Sequence, residues 1–338
     1  MLCFPAGTAA VKNGDCVEHL IAALVARRFY LEGRSKSQIG DELGMSRFKV
    51  ARILELAVRD GIVRIEVAVP PEVDLDLSER VAKRFGLRQV LVVKEADGGS
   101  ADDHESMRRQ LGRACAALLA ERLSPDDVLG VSWGRTLHAL TDVVPRLPGA
   151  TVVQLVGSVP TADLKINSLE LLRRLGESTG GSVYPLHAPM VLDTPDVAAA
   201  LRSVGYVAKT LARFADITCA LVGVGVWRSP GGADPHGSSL RAALPGPLVR
   251  HLDAQGAVAD ISSTVLDVDG AVVGGDEVPA RCIAITTEQL RAVPDVVGLA
   301  GGADKAGAVV AAVRAGLLHR LITDTAAAHA MIATEPAT

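Results

Sequence analysis

Ser35-Lys36-Ser37-Gln38-Ile39-Gly40-Asp41-Glu42-Leu43-Gly44-Met45-Ser46-Arg47-Phe48-Lys49-Val50-Ala51-Arg52-Ile53-Leu54 carries the pattern of two short helices meeting at a tight turn. Ser35 and Gln38 have the spacing of a capping box, which starts a helix that buries Ile39 and Leu43. Gly44 takes the turn, because glycine enters the left-handed conformation without a Cβ clash. Ser46 then caps a further helix whose apolar stripe is Val50, Ile53, Leu54 and Ala57. Upstream, Ile21, Leu24, Val25 and Phe29 recur at helical spacing, so a first helix is expected from about Glu18 to Glu32, ending before Gly33. Helix, short helix, glycine turn, helix is the helix-turn-helix plan, whose last helix enters the major groove of DNA.

Outward-facing residues decide whether that plan has a partner. With Val50, Ile53 and Leu54 packed inward, the helical wheel turns Phe48, Arg52 and Arg59 outward and leaves Arg47 and Lys49 on the flanks. Arg52 suits a forked contact with guanine, and Phe48 suits a thymine methyl group. Arg47, Lys49 and Lys36 suit phosphates, which fix register without reading sequence. Spacing alone favours DNA binding over the alternative, a small three-helix bundle with solvated Arg and Lys that binds a protein or nothing. Charge favours DNA: Leu20 to Glu66 holds nine Lys or Arg and six acids, net +3, so with −4 for the whole chain the remainder carries −7. A basic segment on an acidic body suits local contact with phosphate.

After Gly61, Ile62-Val63-Arg64-Ile65-Glu66-Val67 alternates apolar and charged residues, as a half-buried strand or wing would. Pro70-Pro71 can continue neither a helix nor a central strand. The expected organisation is therefore an arm without assignment at 1–17, a DNA-binding domain at 18–69, a linker at 70–73 and a large domain at 74–338.

The large domain alternates strand and helix patterns. Expected strands are Gln89–Val93, Val128–Val131, Thr151–Leu155, Ser182–Leu186, Ile217–Gly223, Cys282–Ile285, Val296–Ala300 and Leu321–Thr323. Helical stretches between them include Met107–Arg122, Leu169–Ser178, Val207–Phe214 and Lys305–Leu318. That alternation predicts an α/β fold with a doubly wound, mainly parallel sheet. Composition agrees: 49% hydrophobic residues but only 3% aromatics suits aliphatic parallel strands covered by Ala-rich helices.

Ligands of such sheets bind beyond the carboxyl ends of the strands. Four loops there are glycine-rich: Gly130 to Thr136 with Ser132, Gly134, Arg135 and Thr136; Gly157-Ser158; Gly223-Val224-Gly225; and Gly301-Gly302 leading to Lys305. Their amides and cations suit an anion. A cation in a first helical turn opposes the helix dipole, which makes better sense with an anion beside it. No G-x-G-x-x-G follows the first strand and no G-x-x-x-x-G-K-[ST] occurs, so neither a dinucleotide nor a nucleoside triphosphate is expected. The His residues lack metal-site grouping and the five scattered Cys lack any C-x-x-C pair, so no metal, no cofactor and no disulfide framework is expected. No signal-peptide or membrane-spanning run is present, and a cytoplasmic protein is expected.

The residues carry a resemblance. Arg34 to Gly40, Leu43 to Arg47, Val50 to Leu54 and Asp60 to Ile65 look like the DNA-binding region of the SorC family of sugar-responsive regulators. Leu129 to Leu137, Val153 to Gly157, Leu221 to Gly225, Gly256 to Ile261, Ala300 to Gly302 with Lys305, and Leu321 to Asp324 extend the likeness through nearly all the remaining chain. The resemblance implies an effector domain related in fold to sugar-phosphate isomerases and CoA transferases. It implies a sugar or phosphosugar effector, operator DNA as partner, and a homo-oligomer, dimer or tetramer. It places the phosphate cradle at Gly134–Thr136 and Lys305, with Gln154, Gly157 and Asp260 beside the sugar hydroxyls. Phe48-Lys49 stands where the family commonly has a Pro-Thr pair, and Asp324-Thr325 where it often has Asp-Glu.

Two enzymatic readings rank below this one. A sugar-phosphate isomerase needs a base beside a sugar carbon; Asp163, Asp260, Asp267, His187 and Asp324 are candidates, and none has an evident orienting partner. Gly130-Val131-Ser132-Trp133-Gly134 satisfies the G-x-S-x-G elbow of α/β-hydrolases. Such an enzyme needs an oxyanion loop upstream, where this chain has its helix-turn-helix.

Overall fold

The computed structural model describes residues 13–63, 73–94, 104–159, 168–228 and 237–334. The chain divides into two compact units, Met1–Val69 and Pro70–Thr338.

In the first unit, α1 (Asn13–Ala26) runs into a π-helical turn, Arg27–Leu31, and is followed by α2 (Lys36–Leu43) and α3 (Arg47–Arg59). The capping box forms in both directions, Gln38 N donating to Ser35 Oγ and Ser35 N to Gln38 Oε1. Gly44 closes α2 at φ 66°, and Ser46 Oγ accepts from Lys49 N to open α3. Val25, Ile39, Val50, Leu54 and Ala57 form the buried centre. Gly40 makes the close turn possible, since a Cβ there would lie 2.5 Å from the Met45 carbonyl oxygen. The expected strand at 62–67 falls mostly outside the described residues.

The second unit opens with α4 (Leu75–Phe85), β1 (Gln89–Val93), α5 (His104–Arg122), β2 (Val128–Val131), α6 (Arg135–His138), β3 (Thr151–Gln154), α7 (Ser168–Thr179) and β4 (Val183–Tyr184). It continues with α8 (Pro195–Arg202), α9 (Gly205–Ala212), β5 (Cys219–Gly223), β6 (Gly225–Val226), α10 (Ser239–Ala243), α11 (Gly246–Ala254), β7 (Ala259–Ile261) and β8 (Thr264–Leu266). It ends with α12 (Glu277–Arg281), α13 (Thr287–Ala292), β9 (Asp295–Leu299), a 3-10 turn at Ala303–Lys305, α14 (Ala306–Arg314), β10 (Arg320–Asp324) and α15 (Thr325–Ala333).

Seven strands pair in the order β1-β10-β9-β5-β2-β3-β4, every pair parallel. Side chains alternate across each strand. Thus β5 sends Ala220 and Val222 to one core, with Leu77 and Val81 of α4 and Val309 and Ala312 of α14. It sends Leu221 to the other, with Leu111, Leu118 and Leu119 of α5 and Leu171 and Leu175 of α7. This is the doubly wound, mainly parallel sheet expected.

Two expectations change. The run Cys282–Ile285 is no strand; it makes two isolated antiparallel bridges, Val191↔Cys282 and Val156↔Ala284. Its apolar content reflects burial of Cys282, Ile283 and Ile285 in the core rather than a ladder. Val73, expected in the linker, bridges to Val93 and so belongs to the second unit. Beside the parallel sheet stands a small antiparallel one, β6-β7-β8, which the alternation pattern did not reveal.

Candidate functional site

In the first unit, α3 buries Val50, Leu54 and Ala57 and leaves Arg47, Phe48, Lys49 and Arg52 exposed. Phe48 is 70% exposed, and the Arg47 guanidinium lies 4.8 Å from its ring centroid. Lys36, also exposed, sits 5.6 Å from the Phe29 ring. Ser46 acts through its cap. An exposed aromatic flanked by cations on a helix after a tight turn has the chemistry of a groove reader.

In the second unit the strand order reverses between β2 and β5. From β2 the chain steps outward through β3 and β4; from β5 it steps the other way through β9 and β10. The carboxyl ends of the two strands at such a reversal cannot be covered by their own connections, which leaves a crevice. Here it is a cavity of about 680 Å³, within the size range of small-molecule sites. Loops after β1, β2, β5, β9 and β10 all contribute to its wall.

Ser132 Oγ accepts from the Gly223 amide at 3.2 Å, so the loops after β2 and β5 are tied together. Trp133 Nε1 donates to the Gly157 carbonyl at 2.8 Å. Gly134, at φ 151°, holds a backbone conformation that favours glycine and delivers Arg135 and Thr136 to the start of α6. Gly302, at φ 99°, does the same before Lys305. Its amide donates to Asp324 Oδ2 at 2.7 Å, while Asp324 Oδ1 caps α15 through Ala327 N. That amide and that carboxylate are thus committed to each other. A Cβ at Gly301 would meet Met107 Sδ at 2.3 Å, so glycine there lets α5 pack against the loop.

Lys305 lines the cavity with one long contact, Nζ to the Val224 carbonyl at 3.5 Å. Burial pulls its ammonium below the usual lysine range; Arg135 and Arg108 add to that, while Asp304 and Asp260 oppose it. Asp260 is 9% exposed. Burial pushes its carboxyl up to about 6, against a hydrogen bond from Ser238 and the Lys305 charge, which lower it. Gly225 pairs with Asp260 in the ladder, and a Cβ there would lie 2.3 Å from Asp260 Oδ1. Glycine at 225 therefore serves to admit the carboxylate, whereas the sequence suggested only a close backbone approach to an anion.

The structure gathers Ser132, Gly134, Arg135, Thr136, Gly223, Gly225, Asp260, Gly301, Gly302 and Lys305 on one cavity wall. Gln154 and Gly157 are not among its lining residues. Gln154 spends its amide inside the core, Nε2 donating to the Val156 carbonyl and Oε1 accepting from Leu186 N. Gly157 is packed against the carbonyls of Ala188 and Pro189. Gln154 ends β3 and Gly157 follows it, one strand removed from the reversal point. Conversely, Lys94 after β1 and His104 and Arg108 of α5 line the cavity without having stood out in the sequence. No glycine-rich motif precedes them, and only the sheet order brings β1 beside β10. Four Lys or Arg side chains (94, 108, 135, 305) face three carboxylates (260, 304, 324), of which Asp324 is already hydrogen-bonded. Such a wall suits a ligand with an anionic group and hydroxyls. Among the described residues no cluster of His, Cys, Asp and Glu fits a metal, and no helix is long and apolar enough to cross a membrane.

Comparison with known proteins agrees with this geometry. Residues 69–333 match the family model described as "Putative sugar-binding domain". The chain is 29% identical over 311 residues to the transcriptional regulator YjhU of Escherichia coli K12, covering 91% of this chain and 92% of that protein. It is 28% identical over 327 residues to the transcriptional regulator LsrR of the same organism, covering 96% and 98%. Among solved structures, the full-length sorbitol operon regulator SorC of Klebsiella pneumoniae superposes with a TM-score of 0.65 at 23% identity, covering 94% of this chain and 99% of that one. A sugar-binding domain of a regulator from Pseudomonas syringae is 30% identical with a TM-score of 0.57, covering 76% and 97%. The chain belongs to the SorC family of sugar-binding transcriptional regulators.

Proposed function

We propose that α3 binds double-stranded operator DNA and that a phosphorylated sugar or polyol in the cavity sets the affinity of that binding. The convergence of Lys305, Arg135 and Arg108 with a buried carboxylate at the sheet's reversal point carries this reading. The cations hold the anionic group, and Asp260 accepts from a hydroxyl. Arg52 and Phe48 contact base edges, while Lys36, Arg47 and Lys49 contact phosphates. The protein acts in the cytoplasm as a dimer or tetramer, because paired reading heads match two half-sites; light scattering on the free protein reads the assembly.

Binding of operator fragments, measured with and without sugar phosphates, tests the reading. Lys305→Ala is expected to weaken sugar phosphate binding at least tenfold and to abolish its effect on operator affinity. Arg52→Ala should cost about 1–3 kcal/mol on operator and relax base choice at one position. Lys49→Ala should weaken all duplexes alike and flatten the salt dependence. If upstream fragments bind no better than random duplex, the DNA assignment is wrong.

A regulator rather than an enzyme is proposed, yet one observation favours isomerase chemistry. A carboxyl near 6 beside a bound sugar is tuned for proton transfer near neutral pH. Incubation with aldose and ketose phosphates, followed by proton NMR, would reveal interconversion; none is expected.

A further inference from the structure

Among the described residues, five buried side-chain polar atoms have no hydrogen-bond partner. Two of those atoms, Asp260 Oδ1 and Ser262 Oγ, belong to residues that line the cavity. Buried polar groups are nearly always paired, so two orphans two residues apart at one ligand cavity need a reason.

Ser262 has a second oddity. Among the described residues it is the one non-glycine with positive φ, at 54°. It is the first residue of the two-residue turn joining β7 to β8, beyond the Ile261↔Thr264 pair. Such turns need positive φ, which Gly, Asn or Asp supplies at least cost. Serine pays a steric penalty there. Hydroxyls around it are all satisfied: Ser263 Oγ donates to the Ile285 carbonyl at 3.0 Å, and Thr264 and Thr287 share a hydrogen bond of 2.7 Å. A residue that is both strained and unpaired gives the folded chain nothing in return, and strain of this kind gathers at ligand clamps. Asp260 shares the second feature alone, an unpaired buried oxygen. Gly225 leaves room for its carboxylate, Ser238 donates to it, and Oδ1 remains unpaired.

We propose that Ser262 Oγ, in the turn of the small antiparallel sheet that carries Asp260, engages a second hydroxyl of a sugar or polyol and makes the site reject its deoxy analogues. The inference rests on the effector-cavity reading above. A carboxylate only accepts, so its ligand partner must be a donor; a serine hydroxyl both donates and accepts. A deoxy analogue would leave the buried carboxylate unpaired, and sites built on hydrogen bonds discriminate most strongly in that direction. The rival occupant is a water molecule bridging the two atoms, with no contact to the effector.

The test uses the full-length protein. Ribose 5-phosphate, glucose 6-phosphate, sorbitol 6-phosphate, ribitol and sorbitol are screened by thermal shift, and the compound giving the largest shift goes to calorimetry with inorganic phosphate as reference. Ser262→Gly relieves the backbone strain, so the unliganded variant should melt no lower than the parent, and misfolding cannot explain a binding loss. Its affinity for the polyhydroxylated probe, relative to inorganic phosphate, is expected to fall about tenfold. Discrimination against the deoxy form of that probe should fall with it. Asp260→Asn should lose more. If Ser262→Gly binds the probe as tightly as the parent while Lys305→Ala does not, the subsite is wrong and the effector cavity stands. If no compound in the panel binds the parent, both readings fall.

Discussion

Asp260 sits where folding alone would not place a carboxylate. Its pKa is raised, so the folded state holds this proton more tightly than the unfolded chain does. The associated stability is complete below the ordinary aspartate value and is lost as pH rises through about 6. Above that the buried charge costs the unliganded protein about 3 kcal/mol. Asp260→Asn should therefore raise the melting temperature of the unliganded protein by several degrees at pH 8, and by much less at pH 5. A scanning calorimeter reads both; an equal rise at the two pH values would place the cost elsewhere. At this scale the sequence was legible where a residue type has one chemistry. Lys305 and Arg135 read as anion donors, and they line the cavity. Gln154 did not, since nothing in a sequence tells a buried amide that serves the backbone from one that serves a ligand. Nor could Ser262, whose meaning lies in a dihedral angle and a missing partner.

Among the elements, the turn between α2 and α3 depends on small residues rather than on charge. Replacing Gly40 by alanine would drive a Cβ against backbone, the Met45 carbonyl, which no side-chain rotation can relieve. Gly40→Ala should destabilise the first unit by more than the cost of the Ser46 cap, which is about 1 kcal/mol. It should reduce operator binding without changing effector binding. Limited proteolysis around residues 36–59, compared with Ser46→Ala, orders the two effects; equal resistance would show that the turn can open cheaply. Caps and glycines made these helices readable, because a capping box and a left-handed glycine are local devices. The parallel strands were readable as short aliphatic runs for the same reason. Local patterning failed at Cys282–Ile285, where burial imitates a strand. It also missed β6, β7 and β8, which are two or three residues each and too short to show a period.

For the whole molecule, strand order was the illegible quantity, and it is what builds the cavity. β1 and β10 lie side by side, and the Arg320 guanidinium donates to Gln89 Oε1 across 231 residues of chain. That pairing sets a schedule during synthesis. At roughly 5–20 residues per second, β1 waits about 12–46 s on the ribosome for its neighbour. The first unit, whose helices end at Arg59, has all its internal contacts long before then. A nascent regulator thus acquires its reading head early and its sense of the metabolite last. Ribosome-stalled chains ending near residue 300 should protect the α1–α3 region from protease yet show no protection by any sugar phosphate. Chains extended far enough to release β10 from the exit tunnel should gain it. Between those two lengths the protein is deaf.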